Sequence, residues 1–213
     1  MKDIAIYGFG GFGHEVACLI NHINRACPTW NLIGYIDDGV EAGTSCKYGK
    51  VLGNCETLNA WDKPISVVIA IGSTKYLEIV SKRITNPNVD FPNLIAPNVF
   101  YFDEESVVMG KGNIITFGCR FSCNIRIGDF NVLNGNVSLG HDACIGNYNV
   151  MFPETRISGQ ATIGDRNFFG ARTFVAQCLK LGNDCRYGAG CYVLRKTKDD
   201  NLYMGNPAKK IEI

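Results

Sequence analysis

The chain has 213 residues, 46% hydrophobic and 19% charged, which excludes a disordered polymer and leaves ample material for a buried core. Twenty-one lysines and arginines against 20 acids give a net charge of +1, which argues against nucleic-acid binding driven by a basic domain. No apolar run approaches the roughly 18 residues of a membrane span, and the opening MKDIAIYGFGGFG has glycines where a signal peptide needs its apolar stretch, so a cytoplasmic protein is expected.

The first third reads as strand–helix–strand units. Ile4-Ala5-Ile6-Tyr7 is a short apolar strand, followed at once by Gly8-Phe9-Gly10-Gly11-Phe12-Gly13. A helix then begins, with Val16, Leu19, Ile20 and Ile23 on one face. Leu32–Ile36 is a second strand ending in Asp37-Asp38, and Ile65–Ile71 a third, its continuous apolarity fitting burial on both faces. Gly72-Ser73-Thr74 N-caps a further helix running to about Thr85. Bare amides at a glycine-rich helix N-terminus hold phosphates, which makes Gly8, Gly10 and Gly11 candidate nucleotide contacts. Asp37 is placed to accept hydrogen bonds from a ribose or base. Only three clear strands fit before residue 90, about half of a dinucleotide fold, so a mononucleotide or nucleotide-sugar is the better expectation. The organisation is therefore a Rossmann-like α/β lobe over residues 1–90 and a second domain over 91–213.

That second domain is a repeat. Every sixth residue from Met109 through Ile115, Phe121 and onward to Val193 is apolar, a phase that chance would give with odds on the order of 10⁻⁵. The position after each is usually Gly, Ser, Thr or Ala, and here lie many of the 24 glycines. One large inward residue and one small turn residue per hexad describe a parallel β-helix, three hexads to an 18-residue coil, giving five coils over 109–198. Crossover connections are normally right-handed, so periodicity alone leaves the hand open. Of the ten cysteines, none forms a CxxC pair and no histidine cluster accompanies them, so no metal site is expected. Cys119, Cys185 and Cys191 fall two residues before an inward position, where small side chains pack.

Three histidines remain. His22 lies off the apolar helix face and reads as solvated; His14 follows the glycine loop, as a ligand contact or as ordinary helix-terminus polarity. His141 sits past a coil corner in SLGHDACIG, and Asp142 can accept its Nδ1 proton, leaving Nε2 as a general base. One coil on, Gly159 stacks beside it, leaving space and a bare N–H for a developing oxyanion; Cys123 stacks on the other side. Base plus backbone donor is the minimum apparatus of acyl transfer. Near the C-terminus Arg195, Lys196 and Lys198 close the last coil and suit the phosphates of coenzyme A, and Pro207 fixes a tight turn.

YGFGGFGHEVA, then GYIDD, then hexapeptide coils with GHDACIG, then a GNPAK tail resemble the bacterial sugar O-/N-acyltransferases of the sialic-acid O-acetyltransferase group, which includes nucleotide-aminosugar N-acetyltransferases. The resemblance spans nearly the whole chain. It implies a left-handed parallel β-helix, a homotrimer, a nucleotide-sugar in the N-terminal lobe, and acetyl-CoA along the cleft between neighbouring β-helices. It implies His141 as base, Asp142 as its orienting carboxylate and Gly159 as oxyanion donor. Gly170-Ala171 and Gly188-Ala189 match the corners beside the pantetheine, and Gly8, Gly10, Gly11 and Asp37 the nucleotide lobe. Three positions depart from the pattern. Val150 stands where many members have a second histidine nine residues after the base, Phe12 where many have one near the sugar, and Pro153-Glu154-Thr155 replaces Pro-Gly-Ala.

The expected activity is transfer of acetyl from acetyl-CoA to a hydroxyl or amine of a small, nucleotide-linked sugar. The alternatives are a serine-type small-molecule O-acetyltransferase, an NAD-dependent oxidoreductase suggested by the glycine loop plus Asp37, and an inactive trimeric sugar-binding scaffold suggested by Val150 and Phe12.

Overall fold

A computed structural model describes residues 1–212. In the N-terminal lobe, β1 (Lys2–Tyr7), β2 (Trp30–Ile36), β3 (Ser45–Cys46), β4 (Gly49–Gly53), β5 (Ile65–Ile69) and β6 (Val89–Asp90) form one sheet in the order β3-β4-β2-β1-β5-β6. All neighbours are parallel except the β3–β4 hairpin. Every residue of β5 is buried, as a central parallel strand requires. Helix α1 (Gly11–Ala26) buries Gly13, Val16, Ala17, Leu19 and Ile20. It stops before Pro28, with the Cys27 N–H closing on Ile23. Helix α2 (Cys55–Asn59) starts with an Asn54–Thr57 capping box. Helix α3 (Thr74–Arg83) begins after Ser73, whose side chain makes no capping bond.

The lobe holds more strands than the three read from sequence. GKVLG carries two glycines and little apolar weight, which hid β4. Its partner β2 has Gly34 at φ +149°, and a Cβ there would lie 2.6 Å from the Lys50 carbonyl. The glycine is what lets the two backbones approach.

From Leu94 the chain winds into a parallel β-helix with three flat faces. The first face stacks Leu94–Ile95, Ile114–Ile115, Val132–Leu133, Val150–Met151, Phe168–Phe169, Arg186–Tyr187 and Leu202–Met204. The second stacks Phe100–Tyr101, Arg120–Phe121, Ser138–Leu139, Arg156–Ile157, Phe174–Val175 and Tyr192–Val193. The third stacks Val108–Met109, Arg126–Ile127, Cys144–Ile145, Thr162–Ile163 and Lys180–Leu181. Partners such as Ser138 and Arg156 lie 18 residues apart. The repeat starts earlier than Met109: Leu94 pairs with Ile114 and Phe100 with Arg120, a 20-residue first coil. The 3-10 turn Glu104–Ser106 absorbs the two extra residues, because Val108 pairs with Arg126 at the normal spacing. The last coil also differs: among the described residues no third-face strand follows Val193, and Leu202–Met204 returns to the first face, paired with antiparallel Lys209–Ile211.

The hexad residues point inward. From Ile115 to Val193 all are buried in one cluster, and Met109 packs at its margin. Cys119, Cys185 and Cys191 are fully buried there, as packing. Aromatics close the far end, with Phe169, Tyr187 and Tyr203 stacked at 4.8 and 5.6 Å. At the corner between the third and first faces, Asn113, Asn131, Asn149 and Asn167 are wholly buried. Each amide oxygen accepts the backbone N–H one coil on, as from Asn149 N to Asn131 Oδ1 at 2.9 Å, so these polar side chains are satisfied.

Outward side chains of the first face belong to the other core. Leu94, Ile114, Val132 and Val150 are buried in the same cluster as β1, α1 and β5. The lobe thus covers the first face, leaving the second and third exposed.

Candidate acyl-transfer site

His141 and Asp142 lie at the corner between the second and third faces, just after Ser138–Leu139. Asp142 adopts φ +58°, one of a column of left-handed residues that turn this corner with Asn124, Gln160 and Cys178. This geometry directs its carboxylate back to its neighbour: Asp142 Oδ2 is 2.8 Å from His141 Nδ1. Asp142 Oδ1 accepts a bond from Asn124 Nδ2 at 3.1 Å. The hydrogen bonds from His141 and then Asn124 hold the Asp142 carboxyl below the usual carboxylate range. A proton on Nδ1 facing this carboxylate leaves His141 Nε2 as the acceptor.

The imidazole lies over Gly159. A Cβ at residue 159 would be 2.5 Å from His141 Nε2. Among the described residues the Gly159 N–H has no acceptor, while its neighbours Ser158 and Gln160 donate to Val175 and His141 carbonyls. Nε2 therefore lies against the α-carbon of a residue whose backbone donor is uncommitted. Cys123, one coil earlier, gives its carbonyl to the Asp142 N–H at 2.9 Å. In the other direction the same register reaches Gln177 and then Arg195, about 14 Å from His141 at three coil steps. Arg195 and Lys196 are exposed, and no ion pair occupies them among the described residues.

Gly170-Ala171 and Gly188-Ala189 lie elsewhere within one chain, at the corner between the first and second faces. Gly170 is obligatory there, since a Cβ would fall 2.5 Å from the Ala189 N. On the same corner, Thr116, Phe117, Asn134 and Pro153 face Glu15, Cys18 and His22 of α1 across a cleft of about 820 Å³. His22 is solvated, as expected, but on this cleft, which the sequence did not indicate.

In the glycine loop, Gly8 has φ +114° and packs against the Ala70 carbonyl, so its role is steric. Gly10 and Gly11 are exposed with open space around them, and the first-turn amides of α1 have no helical partners. Asp37 is more committed than expected of a ribose acceptor. Its two oxygens take the Phe9 and Gly39 N–H groups at 2.8 Å each, pinning the loop. His14 is no ordinary polar helix terminus: its Nε2, like Tyr35 Oη, is buried without a hydrogen-bond partner among the described residues, and its ring packs edge-on to Phe9 and Tyr35.

The departures at Val150 and Phe12 acquire a physical meaning. Val150 is nine residues, half a coil, from His141, and is buried under the lobe; Phe12 packs against the same core. Within one chain, both therefore belong to the lobe core and not to the corner that carries His141.

The comparisons with known proteins follow this geometry. The acetyltransferase domain of PglB from Neisseria gonorrhoeae FA1090, in complex with acetyl coenzyme A, superposes with a TM-score of 0.88 at 22% identity, covering 99% of each chain. PerB from Caulobacter crescentus, in complex with CoA and GDP-perosamine, gives 0.87 at 24%, covering 100% of this chain and 98% of that one. WeeI from Acinetobacter baumannii AYE gives 0.86 at 25%, covering 99% and 100%. The class is thereby defined as a Rossmann-like lobe carried on a left-handed parallel β-helix. More particularly, residues 3–84 match the family of the PglD N-terminal domain. No curated protein matches the chain at a significant level.

Proposed function

We propose that this protein is an acetyl-CoA-dependent acetyltransferase acting on an amino or hydroxyl group of a nucleotide-linked sugar. It belongs by this reading with the bacterial sugar acyltransferases, the sialic-acid O-acetyltransferase group among them. The observation that carries the proposal is His141 Nε2 resting on Gly159 while Nδ1 is held by Asp142 at 2.8 Å. Nε2 takes the proton of the amine or hydroxyl as it attacks the thioester carbonyl. The oxyanion that forms accepts the free Gly159 N–H. Collapse expels the coenzyme A thiolate, which recovers the proton from the imidazolium, and Asp142 stabilises that cation throughout. Two relatives support the substrates, one holding acetyl coenzyme A and the other CoA with GDP-perosamine.

The reading includes a homotrimer. The lobe cleft and the Gly-Ala residues share one corner, and His141 stands on the next, across the second face. Threefold packing with the second faces inward sets His141 of one copy against the cleft and Gly-Ala corner of its neighbour. Arg195 and Lys196 then sit where coenzyme A phosphates emerge, and the open amides of Gly10 and Gly11 meet the nucleotide phosphates. Thioester cleavage measured against GDP-perosamine and other nucleotide-linked sugars tests the proposal. Release of coenzyme A with at least one acceptor is expected; none across the panel overturns it.

A further inference from the structure

The His141–Asp142 pair is held from a third position. Asn124 lies one coil before Asp142, itself left-handed at φ +55°. Its amide Nδ2 donates to Asp142 Oδ1 at 3.1 Å, so that Oδ2 alone is left for His141. Asn124 is anchored in turn. Its backbone N–H donates to Ser106 Oγ at 2.8 Å, and the Ser106 hydroxyl donates to the Asp103 carbonyl at 2.9 Å. Ser106 ends the 3-10 turn that takes up the two extra residues of the first coil. The irregular turn of the first coil therefore supports the residue that steadies the acid of the pair.

We propose that Asn124 is a positioning residue, which fixes the Asp142 carboxylate so that it aims His141 Nε2 over Gly159. The inference rests on His141 being the base of the proposed reaction. Asp142 is on an exposed corner, where a carboxylate restrained on one side only would rotate away from the imidazole. A neutral amide donor steadies it without adding charge. Besides His141, the titratable groups around Asp142 are Arg126 and Cys144 of the third face and Cys123, whose carbonyl accepts the Asp142 N–H; none of their side chains bonds to its carboxylate among the described residues.

Two variants of the full-length protein test this. Asn124→Gly keeps the left-handed backbone and deletes the amide; Asn124→Asp keeps the shape and replaces the donor with a second carboxylate. The readouts are the NMR titration of the His141 ring, which needs no substrate, and kcat with KM for acetyl-CoA. The His141 titration should move to lower pH in Asn124→Gly and to higher pH in Asn124→Asp. In Asn124→Gly, kcat should fall about tenfold, the equivalent of one hydrogen bond to a charged group, with KM within about twofold. A His141 titration identical to wild type in both variants overturns the inference. Titrations that move as stated support it even if no acceptor is acetylated, an outcome that overturns the acetyl-transfer reading alone.

Discussion

His141 and Gly159 are related by one coil, and the imidazole of the first occupies the volume that a side chain on the second would need. A Cβ on residue 159 would sit 2.5 Å from Nε2, 2.8 Å from Cε1 and 2.9 Å from Cδ2. The neighbouring relation between Gly140 and Gly159 differs in kind, because a Cβ on residue 140 would meet the backbone nitrogen of Gly159 at 2.5 Å.

These two glycines should therefore fail differently. In Gly159→Ala the exposed ring swings aside, so kcat should fall at least about 10²-fold, as for loss of a general base, with Tm nearly unchanged. In Gly140→Ala the backbone cannot move aside cheaply. Overpacking of this kind costs about 1–3 kcal/mol, so Tm should drop by several degrees. Thermal denaturation beside steady-state kinetics separates the two; equal loss of Tm in both would contradict the assigned roles.

Asp142→Asn should leave the fold intact and lower kcat by about 10²–10⁴-fold, because the imidazole loses the partner that fixes its tautomer. The direction of the pH effect follows from charge. A carboxylate beside Nδ1 favours the imidazolium, so removing it moves the acidic limb of kcat/KM to lower pH. The Asp142 carboxyl is itself held below the usual range by its bonds to His141 and Asn124. It therefore stays ionised through the neutral range, where it can face the imidazolium. An unmoved limb in Asp142→Asn would contradict the pairing.

The proposed sharing of the site between copies predicts complementation. His141→Ala damages one corner and Ala171→Trp, on the Gly-Ala corner, blocks the other. Each homogeneous variant should be inactive, whereas mixed assemblies from co-expression should regain activity, since some interfaces pair two intact corners. Light scattering should give a trimer for all. Mixed assemblies as inactive as the parents would place the two corners in separate functions.

Gly11→Val tests the loop of the lobe. Beyond its chain neighbours and its own helical turn, no atom lies within 4 Å of where a Cβ on residue 11 would sit, so the fold should tolerate the side chain. It would crowd the α1 amides, and KM for the nucleotide-sugar should rise at least tenfold with KM for acetyl-CoA unchanged. Unchanged acceptor KM would move the nucleotide elsewhere.

The β-helix was legible because its inward residues recur every sixth position, and that same period places Gly159 beside His141 from sequence alone. The same 18-residue spacing points from Asp142 back to Asn124, a relation that matters only once the carboxylate is seen to need a second restraint. The first coil escaped because its insertion at Glu104–Ser106 breaks the period. Strand β4 escaped because a five-residue segment with two glycines has no periodic signature. Val150 looked like a loss of chemistry because sequence position does not reveal that the lobe buries the first face. The cleft beside α1 joins residues as distant as Glu15 and Pro153, and no local pattern announces such a pairing.

The role of His141 as the base of acetyl transfer, and not as a binding residue, is tested most directly by His141→Ala. Thioester cleavage is followed on an accepted nucleotide-sugar, and acetyl-CoA affinity is measured by calorimetry. Turnover should fall by about 10²–10⁴-fold or more while Kd for acetyl-CoA stays within about twofold of wild type. Turnover at the wild-type rate would contradict that role.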